Sequence, residues 1–188
     1  MNQQETKSSE MPIAVWHSVI ATPLGDLTVV RDEIGLQGLY FPHHWYRPTQ
    51  VTFGPRRDAG FEDTATQLGE YLAGRRRNFE VALSMHGDAF QKTVWRLVAD
   101  IPYGDTVTYG QLAAQLGDNV NAQQVGAAVG RNPVCVIVPC HRVVGAGGKL
   151  TGYAGGLARK RMLLDLERDH VSRSNGSPFQ DALLRVVV

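Results

Sequence analysis

Residues 138–156 limit the fold of this chain more than any other segment. They read VPCHRVVGAGGKLTGYAGG and follow an apolar run from Val134 to Val138. A short apolar run of this kind is typical of a buried strand, and Pro139, which has no N–H to donate, should end its ladder. The sequence therefore predicts that Cys140 lies where a buried strand ends and the backbone turns.

Two interpretations of Cys140 follow from its neighbours. An isolated cysteine is more often a small buried hydrophobe than a nucleophile. A thiol reacts as its thiolate, which a nearby base or cation favours, and His141 and Arg142 come next in the sequence. Adjacency does not show that either side chain faces the sulfur, so both interpretations stay open on these residues alone.

The composition excludes several classes of protein. A net charge of +1 over 188 residues provides no general basic field for nucleic acid, so any contact with DNA would depend on local shape. The two cysteines, Cys135 and Cys140, are too few for a disulfide framework or a Cys-rich zinc site, and favour a reducing compartment. No run approaches the roughly 20 apolar residues of a membrane span, and residues 1–10 lack the apolar segment of a signal peptide. We expect a cytoplasmic protein without a membrane anchor.

The first half of the chain predicts a β-meander followed by a helix. Strands are expected at residues 13–20, 26–31, 35–41 and 79–83, a helix at 61–73, and a disordered lead-in at 1–10. His43 and His44 lie beside aromatic residues, and a metal site is one interpretation. A surface loop is favoured, because no carboxylate or cysteine cluster accompanies the pair.

The second half predicts mostly helices. They are expected at residues 90–101, 109–116, 122–130 and 157–169, with Thr108 as an N-cap and a tail at 171–188. Two of them, joined by a turn at Gly117, form a helix-turn-helix candidate. Its second helix carries mainly small residues, and only Gln123 and Gln124 could read bases. Tight packing in a core and close approach to a nucleic-acid groove both remain open.

Several motifs in this half occur together in one order. They are residues 90–95, 101–104, 108–109, 130–133, 139–144 and 151–157. With these motifs the chain closely resembles the O6-alkylguanine-DNA alkyltransferases, or methylated-DNA–protein-cysteine methyltransferases. The resemblance covers residues 90–167 specifically, and residues 13–83 resemble the family's less distinctive N-terminal domain.

The resemblance implies an α/β (α+β) fold with two domains. A ribonuclease-H-like sheet-plus-helix domain would occupy residues 11–83, and 84–88 would be the linker. A mostly helical domain with the helix-turn-helix would occupy residues 89–170.

The resemblance also implies catalytic roles. Cys140 would accept the alkyl group from guanine O6 permanently, so the protein would act once. His141, oriented by Glu167, would remove the thiol proton through a water. Asn132 would lie in the turn that joins the recognition helix to the Cys140 strand. Tyr109 would help to extrude the nucleotide and would donate a proton towards guanine N3.

The implied guanine pocket lies in the glycine-rich loop. Backbone groups of Cys140, Val143 and Ala154 would line it, Tyr153 would cover the base, and Lys160 would support the loop. No cofactor is implied, and the zinc of some relatives is not expected, because the first half has no cysteine.

The implied partner is double-stranded DNA that carries O6-alkylguanine, with O4-alkylthymine as a further substrate. We expect a monomer, with cooperative binding along DNA left open. The family usually has an arginine that fills the space of the flipped base, and Gln123 stands at the matching position. The expected DNA contacts are Tyr109, Ala122, Gln123, Gly126, Ala127 and Arg131.

Two other functions compete with repair as interpretations of this sequence. A non-catalytic protein that recognises damaged bases would share the fold, but its branch lacks the acceptor cysteine. A cysteine hydrolase could use Cys140 and His141, and would turn over repeatedly.

Overall fold

The N-terminal part of the molecule is a three-stranded sheet with one helix. The computed structural model describes residues 14–174, so the predicted lead-in lies outside the described residues. Strands β1 (Trp16–Ile20), β2 (Leu27–Arg31) and β3 (Leu36–Tyr40) form an antiparallel sheet in the order β1-β2-β3. Gly25, at a φ of 100°, closes the β1–β2 turn, in which its N–H donates to Thr22 O. Helix α1 (Glu62–Leu72) follows the sheet, so the predicted meander and helix are present.

The C-terminal part is mostly helical. It contains α2 (Ala89–Ala99), α3 (Tyr109–Leu116), α4 (Ala122–Gly130) and α5 (Leu157–Ser174). Two short strands, β4 (Val107–Thr108) and β5 (Val143–Val144), pair in parallel. Helices α3 and α4 form the predicted helix-turn-helix, and capping boxes built on Thr108 and Asn121 fix where they begin. No helix within residues 14–174 has the length and apolar character to cross a membrane.

Three predictions of secondary structure were wrong, two of them for strands and one for the end of a helix. The strand expected at residues 134–138 is a buried turn with two isolated bridges, and Val136 has a φ of 74°. The strand expected at residues 79–83 is reduced to one bridge, between Leu36 and Leu83. Helix α5 continues to Ser174, so the tail predicted from residue 171 begins later, and the rest of it lies outside the described residues.

One hydrophobic core joins the two parts. It includes Leu39 and Phe41 from the sheet as well as Trp95 and Leu163 from the helical part. The edge of the sheet reaches the segment before Cys140, because the Leu39 N–H donates to Pro133 O at 2.8 Å. The division into independent domains at residues 84–88 stays a prediction.

Candidate active site

The turn that carries Cys140 is held by Asn132. The Asn132 Nδ2 donates to Val138 O at 2.9 Å, and its Oδ1 accepts the Val134 N–H at 3.0 Å. Cys140 follows as the first residue of a short 3-10 turn and is 3% exposed. Asn132 therefore connects the end of α4 to the Cys140 turn, at the position expected from the sequence.

His141 and Glu167 form a fully buried pair. Their Nε2 and Oε1 atoms are 2.8 Å apart, and both side chains are 0% exposed. Burial lowers the pKa of His141, although Glu167 opposes this shift, so the ring is neutral near pH 7. Burial raises the pKa of Glu167, but its contacts with His141 and Arg142 outweigh this effect and lower it to about 2.

This pairing determines which ring nitrogen of His141 is basic. Because an ionised carboxylate only accepts hydrogen bonds, we assign the ring proton to Nε2. Nδ1 is then an unprotonated acceptor, and it is buried with no hydrogen-bond partner among the described residues. No direct hydrogen bond joins the Cys140 sulfur to the His141 ring in residues 14–174, so proton transfer between them needs an intermediary.

Sequence reasoning missed three further partners of Glu167, which are Arg142, Tyr71 and the Gly104 N–H. Arg142 Nε and Nη2 donate to the carboxylate at 2.9–3.1 Å, and Arg142 Nη1 donates to Ile101 O at 2.6 Å. The Tyr71 hydroxyl donates to Glu167 Oε1 and lies 3.2 Å from His141 Nε2. Tyr71 is buried on the inward face of α1, three residues after Leu68, and nothing in the sequence indicated its partner.

The surroundings of Cys140 favour its thiolate. The Cys135 sulfur lies 3.5 Å from that of Cys140, and this hydrogen bond lowers the pKa of the Cys140 thiol. Burial opposes the shift, while Asn132 and the Lys160 charge add to it. Cys140 is therefore the thiol of this pair that ionises first.

Lys160 is hydrogen-bonded to the glycine-rich loop, which is where the resemblance expects it. Its Nζ donates to Val143 O at 2.6 Å, to Thr151 O at 2.7 Å and to Gly152 O at 3.1 Å. Burial lowers the pKa of Lys160 to about 8, and the charge of Cys140 opposes this shift. The ammonium is thus both the brace of the loop and a cation near the sulfur.

Tyr109 connects α4 to the glycine-rich loop. Its hydroxyl lies 3.4 Å from both Thr151 O and Gly152 O. A Cβ added at Gly126 would lie 3.8 Å from its ring. Burial, with the charge of Cys140, raises the pKa of Tyr109 to about 12, so the phenol keeps its proton.

The far side of the loop packs on the sheet. Tyr153 is 3% exposed, and its ring centroid lies 6.0 Å from that of Phe41. Ala154 is also buried, and its carbonyl accepts the Trp45 N–H at 3.2 Å. A Cβ at Gly155 would collide with the Phe41 ring, so the loop can pack here only with glycine at that position.

Helix α4 packs with one face and exposes the other. Its buried residues are Val125, Ala128 and Val129. Ala122, Gln123 and Ala127 are exposed and Gly126 is half-buried, which leaves a low, smooth surface. The buried face fits the packing interpretation, and close approach of the exposed face to a nucleic-acid groove stays a prediction.

Arg131, at the end of α4, already has partners within the chain. Its guanidinium lies 4.5 Å from the centroid of the Tyr46 ring, and its Nη1 donates to Ala127 O at 3.3 Å. The side chain is exposed, so contact with a phosphate remains sterically open.

His44 does not fit the surface loop expected for the histidine pair. His43 is exposed, but His44 is 7% exposed, with Nε2 3.8 Å from the Cys135 sulfur. The interpretation was wrong for His44, because the loop turns this ring towards the core. Residues 14–174 contain no cluster of three or more His, Cys, Asp or Glu side chains that could hold a metal.

Comparison with known proteins gives one consistent result. Residues 15–85 match the model of the 6-O-methylguanine DNA methyltransferase ribonuclease-like domain, and residues 89–169 match that of the DNA-binding domain of the same family. The resemblance and the fold class predicted from the motifs are thereby confirmed.

Individual relatives agree over most of their length. A methylated-DNA–protein-cysteine methyltransferase of Mycolicibacterium paratuberculosis is 44% identical over 156 residues, which are 82% of this chain and 93% of the relative. One from Methanosarcina acetivorans is 40% identical, over 81% of this chain and 98% of the relative. The structure of Mycobacterium tuberculosis OGT in complex with DNA matches with a TM-score of 0.77 and 42% identity, over 82% of this chain and 93% of that one.

Proposed function

Because this chain belongs to the 6-O-methylguanine DNA methyltransferase family, whose relatives are methylated-DNA–protein-cysteine methyltransferases, we propose that Cys140 is its alkyl acceptor. The chain is a DNA-repair methyltransferase, and DNA is its partner. The observation that carries the assignment of Cys140 is its position on a buried turn directly before His141, whose Nε2 lies 2.8 Å from Glu167 Oε1.

The proposed reaction is a displacement at the alkyl carbon. The Cys140 thiolate attacks the carbon bound to guanine O6, a C–S bond forms and the C–O6 bond breaks with its electrons on the purine. The Tyr109 phenol donates a proton towards N3 as that anion develops, a role for which its retained proton suits it. The thioether has no route back to a thiol within the site, so each molecule repairs one lesion.

The proposed base is His141 Nδ1, acting through one water. The neutral ring can take the thiol proton at this nitrogen, and the Glu167 carboxylate beside Nε2 stabilises the imidazolium that results. Arg142 and Tyr71 hold the carboxylate in place. We class both as positioning residues, because they act through Glu167.

The proposed substrate is O6-alkylguanine extruded from duplex DNA, with O4-alkylthymine accepted by the same displacement. The target carbon lies inside a stacked duplex, so the base must leave the helix to reach Cys140. The smooth face of α4, with Ala122, Gln123 and Ala127, suits close approach to the backbone in any sequence context. Tyr153, Ala154 and the Val143 backbone are proposed to surround the base.

The protein is proposed to act on DNA as a cytoplasmic monomer. A DNA-binding titration measures whether several copies bind cooperatively along one duplex. Gln123 replaces the usual arginine, and without a planar cation it should extrude the base less effectively. Arg131 is proposed to contact the backbone only when it leaves the Tyr46 ring.

The test is a stoichiometric mass measurement. The protein is incubated with duplex DNA containing O6-methylguanine, and its mass and fragment spectra are recorded. We expect one added methyl group on Cys140 per molecule, with no further turnover. The Cys140→Ser variant should keep its DNA affinity and gain no methyl group.

The other candidate functions give different results. Repeated turnover without a mass gain would indicate a hydrolase, and DNA binding without a mass gain would indicate a damage-recognition protein. A methyl group on another residue would disprove the role of Cys140 alone.

A further inference from the structure

The alkyl-transfer mechanism leaves one buried thiol unused. Cys135 is 0% exposed, and its sulfur lies 3.5 Å from that of Cys140. The two residues belong to one tight turn, in which the Val138 N–H donates to Val134 O and the Cys140 N–H donates to Val138 O. The backbone of this turn therefore keeps the two cysteines close enough for their sulfurs to meet.

The backbone of this turn has an unusual conformation at one residue between the two cysteines. Val136 lies between the two cysteines with a φ of 74°. A positive φ is unfavourable for a β-branched residue, and such positions tend to occur where surrounding structure imposes them for function. Here it reverses the chain so that Cys135 and Cys140 face each other.

The two thiols differ in acidity in a way that assigns them different roles. The hydrogen bond between them lowers the pKa of Cys140 and raises that of Cys135 well above its usual value, and burial adds to the rise at Cys135. Cys140 is thus the nucleophile, and Cys135 remains a protonated thiol next to it. A cysteine of lowered pKa beside a second thiol is the arrangement found in many redox-sensing pairs.

We propose that Cys135 and Cys140 form a peroxide-sensitive pair that closes reversibly to a disulfide. In the first step the Cys140 sulfur attacks one oxygen of hydrogen peroxide, the O–O bond breaks, and the thiol proton leaves with the second oxygen as water. Cys140 is then a sulfenic acid. In the second step the Cys135 sulfur attacks that of Cys140, the S–O bond breaks, and the hydroxyl leaves with the Cys135 proton as a second water. Two thiols are oxidised by two electrons, and one peroxide is reduced.

The geometry requires only a small movement. A disulfide needs its sulfurs about 2.05 Å apart, so the present separation of 3.5 Å must shorten within one turn. His44 Nε2 lies 3.8 Å from the Cys135 sulfur, and burial lowers the pKa of His44 to about 4, so this ring is neutral beside the pair. His44, which contacts Cys135, also lines a cavity of about 420 Å³.

The disulfide would have a clear consequence for the protein. It withdraws the only sulfur proposed to accept an alkyl group, and it prevents further oxidation of Cys140 to sulfinic acid, which simple thiols cannot reverse. A thiol reductant would restore both sulfurs. Peroxide would therefore inactivate the protein reversibly and not permanently.

The test exploits the position of two arginines. Trypsin cleaves after Arg131 and Arg142, so Cys135 and Cys140 lie in one peptide. The full-length protein is treated with graded hydrogen peroxide, free thiols are blocked with iodoacetamide in denaturant, and the peptide is weighed before and after dithiothreitol. We expect a peptide that is lighter by two hydrogens, carries no blocking group, and returns to two free thiols on reduction.

The matched variant is Cys135→Ala, compared with its own untreated sample. We expect it to form no internal disulfide, to accumulate sulfinic acid on Cys140 at the higher peroxide doses, and to recover less thiol with dithiothreitol than wild type at those doses. Wild-type protein that gains oxygen on Cys140 without the lighter peptide would overturn the proposal, as would a variant that recovers as fully as wild type. The wild-type measurement stands even if the variant does not fold, and no step uses alkylated DNA, so it is independent of the proposed repair reaction.

Discussion

Replacing Glu167 with glutamine should destabilise the protein and slow alkyl transfer. The carboxylate is fully buried and accepts hydrogen bonds from Arg142, Tyr71 and the Gly104 N–H. Glutamine keeps the shape but removes the charge, and its amide N–H₂ group must face donors. Arg142, whose side chain is 7% exposed, would be left as a buried cation without a counter-charge.

The size of the effect follows from that unpaired charge. Removing one partner of a buried ion pair costs about 3–5 kcal/mol. Each kcal/mol lowers Tm by about 2–4 °C for a chain of this length, so a decrease of roughly 6–20 °C is expected. Transfer should slow as well, since the His141 imidazolium would lose its stabilising carboxylate.

The assay combines thermal unfolding by circular dichroism with a single-turnover methyl-transfer rate measured where both proteins are folded. The matched control is Asp165→Asn, on the same helix, whose carboxylate is 49% exposed and lies 3.3 Å from an exposed Arg168. That pair is worth at most about 1 kcal/mol. If Glu167→Gln unfolds at the temperature of the control and transfers methyl groups at the wild-type rate, the buried charge network does not have the importance argued here.

Three further predictions concern single groups. Tyr71→Phe removes the hydroxyl that donates to Glu167 and should lower the free energy of unfolding by about 1–3 kcal/mol in urea titrations; Tyr46→Phe, at an exposed ring, is the control, and equal effects would contradict the reasoning. Glu167 has its pKa lowered from 4.5 to about 2 in the folded chain, so its contribution of about 3 kcal/mol is present above pH 4.5 and lost as the pH falls towards 2. Wild-type stability should therefore decline more steeply over that interval than that of Glu167→Gln, and parallel curves would refute the assignment. Gln123→Arg should bind DNA more tightly and repair it faster than Gln115→Arg, which adds the same charge on α3. Equal gains in the two variants would mean that net charge alone explains the tighter binding.

Local patterns predicted most of the elements, because local forces determine them. The polar and apolar periods indicated the three-stranded sheet and the helices to within a few residues, and Thr108 caps α3 as expected. The run at residues 134–138 was misread since burial on all sides gives the same apolar pattern in a strand and in a turn. The left-handed backbone at Val136 distinguishes this turn from a strand, and a valine in the sequence does not predict a positive φ.

The contacts within the site could not be read from local patterns. Tyr71 and Glu167 lie 96 residues apart, and neither stands out in its own helix. His44 was expected in a surface loop because no carboxylate or cysteine cluster accompanies the histidine pair in the sequence, yet the fold packs it against Cys135. The family resemblance supplied the partnership of His141 with Glu167, whereas the contributions of Arg142, Tyr71 and Cys135 emerge only in three dimensions.

The hydrogen bond from Tyr71 to Glu167 also affects how this protein can be recombined with its relatives. It crosses the seam between the sheet part and the helical part, as does the bond from Leu39 to Pro133. A chimera joined at residues 84–88 would inherit the two sides of that seam from different parents. Such hybrids should fold only when the two parents have compatible residues at these contacts. Recombination of this protein with its relatives should therefore exchange the contacting positions together.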